Sequence, residues 1–344
     1  MAFILLIFFL VCIYKVEYIG KYNYYRDYLS KEKTTAIKGI FILLVFLSHF
    51  GSYVQLNNSI DIPYIKLRSL WGQTIVTLFL FYSGYGVLES IKKNKNYVNT
   101  IPVTRFLKVL INFDLAVILF WIVQSLLGKK YSAKRIFLSF IGWDGIGNSN
   151  WFIFSILCTY IFTYIAFKVY KKNTIKAIVA VTLLTLIFMG FLSIYKEPYW
   201  YDTILCYVFG MWYSLFKEKI EKLVQETNLT YLFSLFISIL VFILSHKYLK
   251  NFFMYELWIL SFVVISVLIT MKIALNNKIL QWLGNNLFGL YILQRIPMIV
   301  LKFYNLHKLN VYLYFGLSFL VTIIMTIIFN KLIKMIKIEK LLNY

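Results

Sequence analysis

Residues 35–53 read TAIKGIFILLVFLSHFGSY, and the ten positions between Lys38 and His49 are apolar except for Ser48. About twenty mainly apolar residues are what a helix needs to cross a hydrocarbon core roughly 30 Å thick. Inside lipid every backbone N–H and C=O must find a partner within the chain, so such a run reads as a helix. Working outward, runs of this kind recur almost end to end. We place eleven candidate spans near 2–15, 35–53, 71–91, 105–127, 151–170, 174–194, 201–216, 229–246, 252–271, 279–300 and 311–333. The expected fold class is all-α, a polytopic transmembrane helical bundle. With 61% hydrophobic and only 15% charged residues in 344, no room remains for a soluble catalytic domain.

The net charge of +22 does not point to nucleic acid, because Lys and Arg lie between apolar runs rather than along one soluble face. They read as topology signals and contacts to lipid headgroups. If the loops alternate sides, the set with 15–38, 92–108, 168–176, 217–222, 272–278 and 331–340 holds 24 of the 36 Lys and Arg. The positive-inside rule then places the C-terminus in the cytoplasm and the N-terminus outside. Residues 1–14 lack the charged start and small-residue cleavage site of a signal peptide, so they read as a retained first helix. Cys12, Cys158 and Cys206 fall inside apolar runs without paired spacing, which argues against a disulfide framework or a thiolate metal site, and no metal is expected.

Ionisable groups inside a span cost several kcal/mol and mark functional sites by default. The candidates are His49, Asp114, Glu256 and the pair Gln294-Arg295. His49 suits a general base, since imidazole changes charge near neutral pH. Eleven residues of helix put Lys38 roughly 16 Å from it. A cation at the cytoplasmic entrance and a base further in suit an acyl-CoA, whose phosphates stay outside while its long arm carries the thioester inward. In the third span, Ser83-Gly84-Tyr85-Gly86 offers close backbone approach to a neighbouring helix or a thin ligand. Lys92, Lys93, Lys95, Arg105 and Lys108 crowd the next cytoplasmic loop, as topology alone would demand or as a phosphate site would. Between Gly128 and Asn150 an external loop of about twenty residues breaks the charge rule with Lys129, Lys130, Lys134 and Arg135. Its stretch Gly142-Trp143-Asp144-Gly145-Ile146-Gly147-Asn148-Ser149-Asn150-Trp151 suits either an interfacial aromatic belt or a turn-rich segment that stacks on and hydrogen-bonds a sugar.

Taken in order, these features resemble the acyltransferase 3 family of membrane acyltransferases. Lys38 followed by ten residues and His49 matches the family's basic-residue-to-His spacing, with Lys in place of the usual Arg. Leu80-Phe81-Tyr82-Ser83-Gly84-Tyr85 is similar to its Phe-Phe-x-x-Ser-Gly-Tyr segment, and Arg105-Phe-Leu-Lys108 to the basic start of its next helix. Asn150-Trp151-Phe152, Tyr207-Val-Phe-Gly210-Met-Trp212 and Leu283-Gly284-Asn285-Asn286-Leu-Phe-Gly-Leu-Tyr291 resemble later segments. The match covers about residues 34 to 335. Gln294 stands where many members carry a His, and the helix at 2–15 lies outside the ten-helix core, so we expect an extra N-terminal helix and linker over 1–33 and the acyltransferase domain over 34–344.

The resemblance implies a multi-pass protein of the cell membrane that moves an acetyl or similar acyl group from acyl-CoA, a co-substrate rather than a bound cofactor, to a hydroxyl or amine of a sugar. The acceptor would be a glycan or lipid-linked sugar, and a homodimer is an arrangement the chain admits. His49 would be general base or transient acyl carrier, with Asp114 or Glu256 orienting it. Lys38, Ser83, Gly84, Tyr85, Arg105 and Lys108 would meet acyl-CoA; Asn150, Trp151, Gln294 and Arg295 would meet the acceptor. The rival from another class is a transporter or flippase for lipid-linked oligosaccharide, which would show repeats or discontinuous helices in both halves. A glycan polymerase would need a larger external loop, and a purely structural scaffold would leave His49 without a role.

Overall fold

A computed structural model of the chain describes residues 1–336; the end of the basic stretch 331–340 and of the expected domain 34–344 lies outside the described residues. Helix α1 (Ala2–Ile13) is wholly apolar, but its 12 residues cover only about 18 Å. Strand β1 (Val16–Tyr18) follows, and then α2 (Lys31–Phe50), capped by Ser30 Oγ accepting the Lys33 N–H. The short α3 (Ile62–Trp71) leads to α4 (Thr74–Lys93). Helix α5 (Tyr97–Ile101) continues through a π-helical turn, Pro102–Leu107, into α6 (Lys108–Leu126) as one 30-residue rod. Pro102 brings no N–H to the ladder, which accounts for the respacing there.

The connection after α6 holds α7 (Ala133–Phe140) and the glycine-rich stretch 142–150. Next come α8 (Trp151–Val169), α9 (Thr174–Tyr195), α10 (Leu205–Val224), α11 (Asn228–His246) and α12 (Phe252–Lys272). Strand β2 (Ile273–Leu275) pairs antiparallel with β1, Val16 opposite Leu275. The last described elements are α13 (Lys278–Asn285), α14 (Leu287–Leu293), α15 (Arg295–Phe303), α16 (Leu306–Leu309) and α17 (Val311–Ile336).

Among the described residues eight helices are long and apolar enough to cross a membrane, and nine if Lys278–Asn285 and Leu287–Phe303 form one span bent by 67°. The expectation of eleven therefore changes in three places. Helix α1 is too short for a full crossing. In α10 the second half carries Lys217, Glu218, Lys219, Glu221 and Lys222, so only its first half is lipid-like. The expected span 279–300 breaks at Asn286, whose side-chain oxygen accepts from Asn330 Nδ2 of α17 at 2.7 Å. The all-α multi-pass architecture itself is as expected.

Glycines set the tightest helix contacts. A Cβ on Gly39 of α2 would overlap the Leu280 carbonyl of α13, and one on Gly284 of α13 would overlap the Thr35 carbonyl of α2. Helices α4 and α10 repeat the arrangement, Gly84 against the Tyr207 carbonyl and Gly210 against that of Phe81. In lipid, where apolar surface has no water to escape, such backbone approach is what drives association. Helix α11 shows the opposite face of this logic, with Leu229, Leu232, Phe233, Phe236 and Leu240 all turned outward, as hydrocarbon permits.

These contacts orient α2 along the bundle. Its Lys38 end lies with the C-terminal ends of α4, α8, α10, α12 and α17. Its His49 end lies with α3, α7 and the stretch 142–150.

Candidate functional site

A cavity of about 690 Å³ opens at the Lys38 end of the bundle. Helices α2, α4, the π-helical turn and α8 wall it, which brings Lys38, Ser83, Tyr85 and Arg105 together. Lys38 Nζ sits 5.5 Å from the centre of the Tyr82 ring. Arg105, on the re-spaced turn, donates from Nε to Tyr97 Oη at 2.6 Å, and Ser83 Oγ and Tyr160 Oη share a hydrogen bond of 2.8 Å. Lys31, Lys93 and Lys217 add positive charge at the mouth, against Asp27 and Glu89. Such a cavity offers cations for phosphates at its rim and aromatic and aliphatic walls for a neutral arm beyond.

Two of the residues expected in contact with acyl-CoA stand elsewhere. Gly84 faces α10 and is spent on helix packing. Lys108 starts α6 and does not line the cavity. Gly86, two residues on, does line it, and a Cβ there would meet nothing within 4 Å.

At the other end of α2 the His49 ring lines a second cavity, of about 350 Å³, with Ser52, Tyr53, Asn148, Ser149, Asn150, Trp151, Tyr199 and Arg295. His49 stands in the last turn of its helix, late in the span as expected. Its Nδ1 is buried and has no hydrogen-bond partner. Arg295 is held over this space by donating to Tyr53 Oη at 2.9 Å and to the Asn148 carbonyl at 3.4 Å. Asn148, Asn150, Tyr199 and Arg295 also line a wider groove of about 600 Å³, walled by Trp143, Tyr195, Trp200, Asp144, Gly145 and Gly147, so the groove adjoins the cavity.

The glycine-rich stretch is tied down. Asn150 Nδ2 donates to the carbonyls of Gly142 (2.9 Å) and Asp144 (2.8 Å), Gln124 Nε2 to that of Ile146 (3.0 Å), and Arg135 twice to that of Gly145. Gly142 and Gly147 take φ of +76° and +107°, which side chains disfavour. On the far wall Lys196 Nζ lies 4.0 Å from the Trp143 ring and 4.3 Å from that of Trp200, and donates to the Trp143 carbonyl at 2.6 Å. Burial there lowers the Lys196 pKa, while Asp144 acts in the opposite sense.

Between the two ends stand aromatic rings. Phe79 and Phe152 contact edge to face at 6.2 Å, Phe152 and Tyr291 lie 5.4 Å apart, and Tyr291 is 6.5 Å from the His49 ring. Among the described residues none lines both cavities.

The structure does not bring the other expected residues to His49. Asp114 lies on α6 with its Oδ1 buried and unpartnered, and Glu256 lies on α12, 5% exposed, with both carboxyl oxygens unpartnered. Neither lines the cavity or bonds the imidazole. Gln294 points into an apolar gap beside Leu283, Leu290 and Phe319, donating to the Tyr291 carbonyl. Tyr53 and Tyr199, by contrast, were not singled out from sequence, whereas Asn148 lies in the stretch 142–151 expected to suit a sugar.

A family model described as an acyltransferase domain matches residues 34–330. No curated protein and no solved structure matches the chain.

Proposed function

Because the chain belongs to the acyltransferase 3 family, we propose that this membrane acyltransferase takes an acetyl or similarly short acyl group from cytoplasmic acyl-CoA. It delivers the group to a hydroxyl of a cell-surface or lipid-linked sugar held at the outer face of the cell membrane. Two cavities at opposite ends of one helix support this reading. The Lys38 cavity has the charge and shape for CoA phosphates and pantetheine. The His49 cavity adjoins a groove of Trp, Tyr and amide groups, the surfaces that stack on and hydrogen-bond a sugar.

In the reaction the acceptor hydroxyl gives its proton to His49 as its oxygen bonds to the thioester carbonyl carbon. Collapse of the tetrahedral intermediate breaks the C–S bond, and the CoA thiolate takes the proton held by His49 and leaves as the thiol, which returns the imidazole to its neutral form. Arg295, fixed by Tyr53 and Asn148, supplies N–H donors toward the developing oxyanion. The aromatic rings between the cavities must part for the thioester to reach His49. A transporter of lipid-linked oligosaccharide would need matched broken helices in both halves. Among the described residues the one sharp break, of 67°, lies in the C-terminal half.

The test is turnover of radiolabelled acetyl-CoA by the wild type and by His49→Ala in nanodiscs, scoring CoA release and label on envelope glycans. We expect turnover to fall at least ~100-fold in the variant, the scale of a lost general base. A wild type that consumes no acyl-CoA of any chain length, with glycan acceptors supplied, would overturn the reading.

A further inference from the structure

The last four carbonyls of a helix have no partner within it, and His49 stands among those of α2. The Leu47, His49 and Phe50 carbonyls accept from the backbone N–H groups of Gly51, Ser52 and Tyr53, and helix α3 adds side-chain donors around them. Tyr64 Oη donates to the Leu47 carbonyl at 2.6 Å, and Arg68 donates from Nε to the Ser48 carbonyl (3.1 Å), from Nη1 to the Gly51 carbonyl (3.2 Å) and from Nη2 to Ser52 Oγ (2.8 Å). These four bonds bracket His49 on both sides along the chain. Gly51 makes the approach possible, since a Cβ there would lie 2.6 Å from Tyr64 Oη and 2.9 Å from Arg68 Cδ. Tyr64 is 1% exposed, and the guanidinium sits where a cation complements the C-terminal end of the helix dipole. The imidazole's own Nδ1 has no bonding partner. The ring's position is therefore set through its backbone and by packing on Tyr291.

We propose that Tyr64 and Arg68 are positioning residues for His49: they fix the last turn of α2, and through it the ring, against the outer cavity. This rests on His49 being the base. Three separate nitrogens of one planar fork reach three acceptors, a spread that the donors of a lysine ammonium, all on one nitrogen, do not match.

The test measures kcat, and KM for acetyl-CoA, of Tyr64→Phe, Arg68→Ala and Arg68→Lys in nanodiscs, with folded protein quantified by thermal unfolding. Each change is also made in the His49→Ala background. We expect Arg68→Ala to lower kcat by up to ~100-fold, the cost of about 1 Å of misplacement. Tyr64→Phe and Arg68→Lys should lower it less. KM should not change, because the Lys38 cavity is roughly 16 Å away. In the His49→Ala background the α3 changes should cost nothing further, as expected of residues acting through one group. Folded variants with wild-type kcat would overturn the clamp alone, as would losses that add in full to that of His49→Ala, the pattern of a merely structural role. If Arg68→Ala does not fold, Tyr64→Phe, which removes one hydroxyl, decides the matter. Wild-type turnover in His49→Ala itself would overturn the base and the clamp together.

Discussion

Asp202 shows how far a single side chain can be pushed by its surroundings. It lies in the turn between α9 and α10, 8% exposed, and burial raises its carboxyl from 3.8 to about 7. An acid whose folded pKa is raised binds its proton more tightly when folded. Its neutral form therefore costs nothing below the unfolded value, and the penalty grows as pH rises from about 4 and is complete above about 7. We expect the wild type to lose stability across that window relative to Asp202→Asn by on the order of 1–2 kcal/mol, a value set below the full shift because solvent screens part of it. Thermal unfolding of both proteins in nanodiscs between pH 5 and 8 checks this, and parallel curves would refute it. Legibility at this scale was uneven. Lys38 and His49 share a helix, so their separation follows from the rise per residue alone. Which carboxylate, if any, meets His49 depends on how α6 and α12 pack, and that is not written locally around Asp114 or Glu256. Tyr64 and Arg68 sit in a short connection whose role appears only once α3 is folded back on the end of α2.

At the level of helices, the two glycines of Ser83-Gly84-Tyr85-Gly86 part company. Gly84 and Gly86 differ by two positions on a helix with 3.6 residues per turn, so they face different ways. One meets the Tyr207 backbone and the other open cavity. Gly84→Ala is expected to destabilise the protein by about 1–3 kcal/mol, the usual cost of overpacking. It should act on acyl-CoA binding only through the loss of folded protein. Gly86→Val should leave the unfolding temperature near that of the wild type and raise KM for acyl-CoA several-fold by narrowing the cavity. Equal effects of both substitutions on both quantities would show that the two glycines do one job. The sequence announces small residues at both places, because helix contact and ligand passage demand the same absence of bulk. In the same way α10 reads as a short span because its charged second half lowers the hydropathy, although Gly210 fixes it against α4 as closely as any pair in the bundle.

For the molecule as a whole, the kind of helix was legible because lipid imposes length and apolarity directly, but the count was not: eleven spans were expected, and among the described residues eight helices, or nine with the bent pair, are long and apolar enough to cross. The bend at Asn286 and the shortness of α1 were not legible either, since neither Asn286 nor Lys15 interrupts the hydropathy for long. In the proposed reading the basic residues that gather at the Lys38 end face the cytoplasm, as the positive-inside rule expects. With the three native cysteines replaced by alanine, a cysteine introduced by Tyr199→Cys should react with a membrane-impermeant maleimide in intact cells. One introduced by Lys93→Cys should react only after permeabilisation. The reverse pattern would invert the orientation and with it the assignment of the two cavities.

The aromatic rings of Phe79, Phe152 and Tyr291 stand between two cavities at opposite ends of α2. Where water reaches deep from both sides, a membrane voltage does not fall evenly over 30 Å of lipid; it drops across whatever insulator remains. A full charge carried over it would exchange about 2.3 kcal/mol for every 100 mV. In the proposed reaction the part of the donor that crosses is an uncharged thioester, while the phosphates stay with Lys38 and Arg105. Transfer would then proceed at the same rate in a polarised cell as in a collapsed one, and the rings would keep the route from short-circuiting the membrane between turnovers.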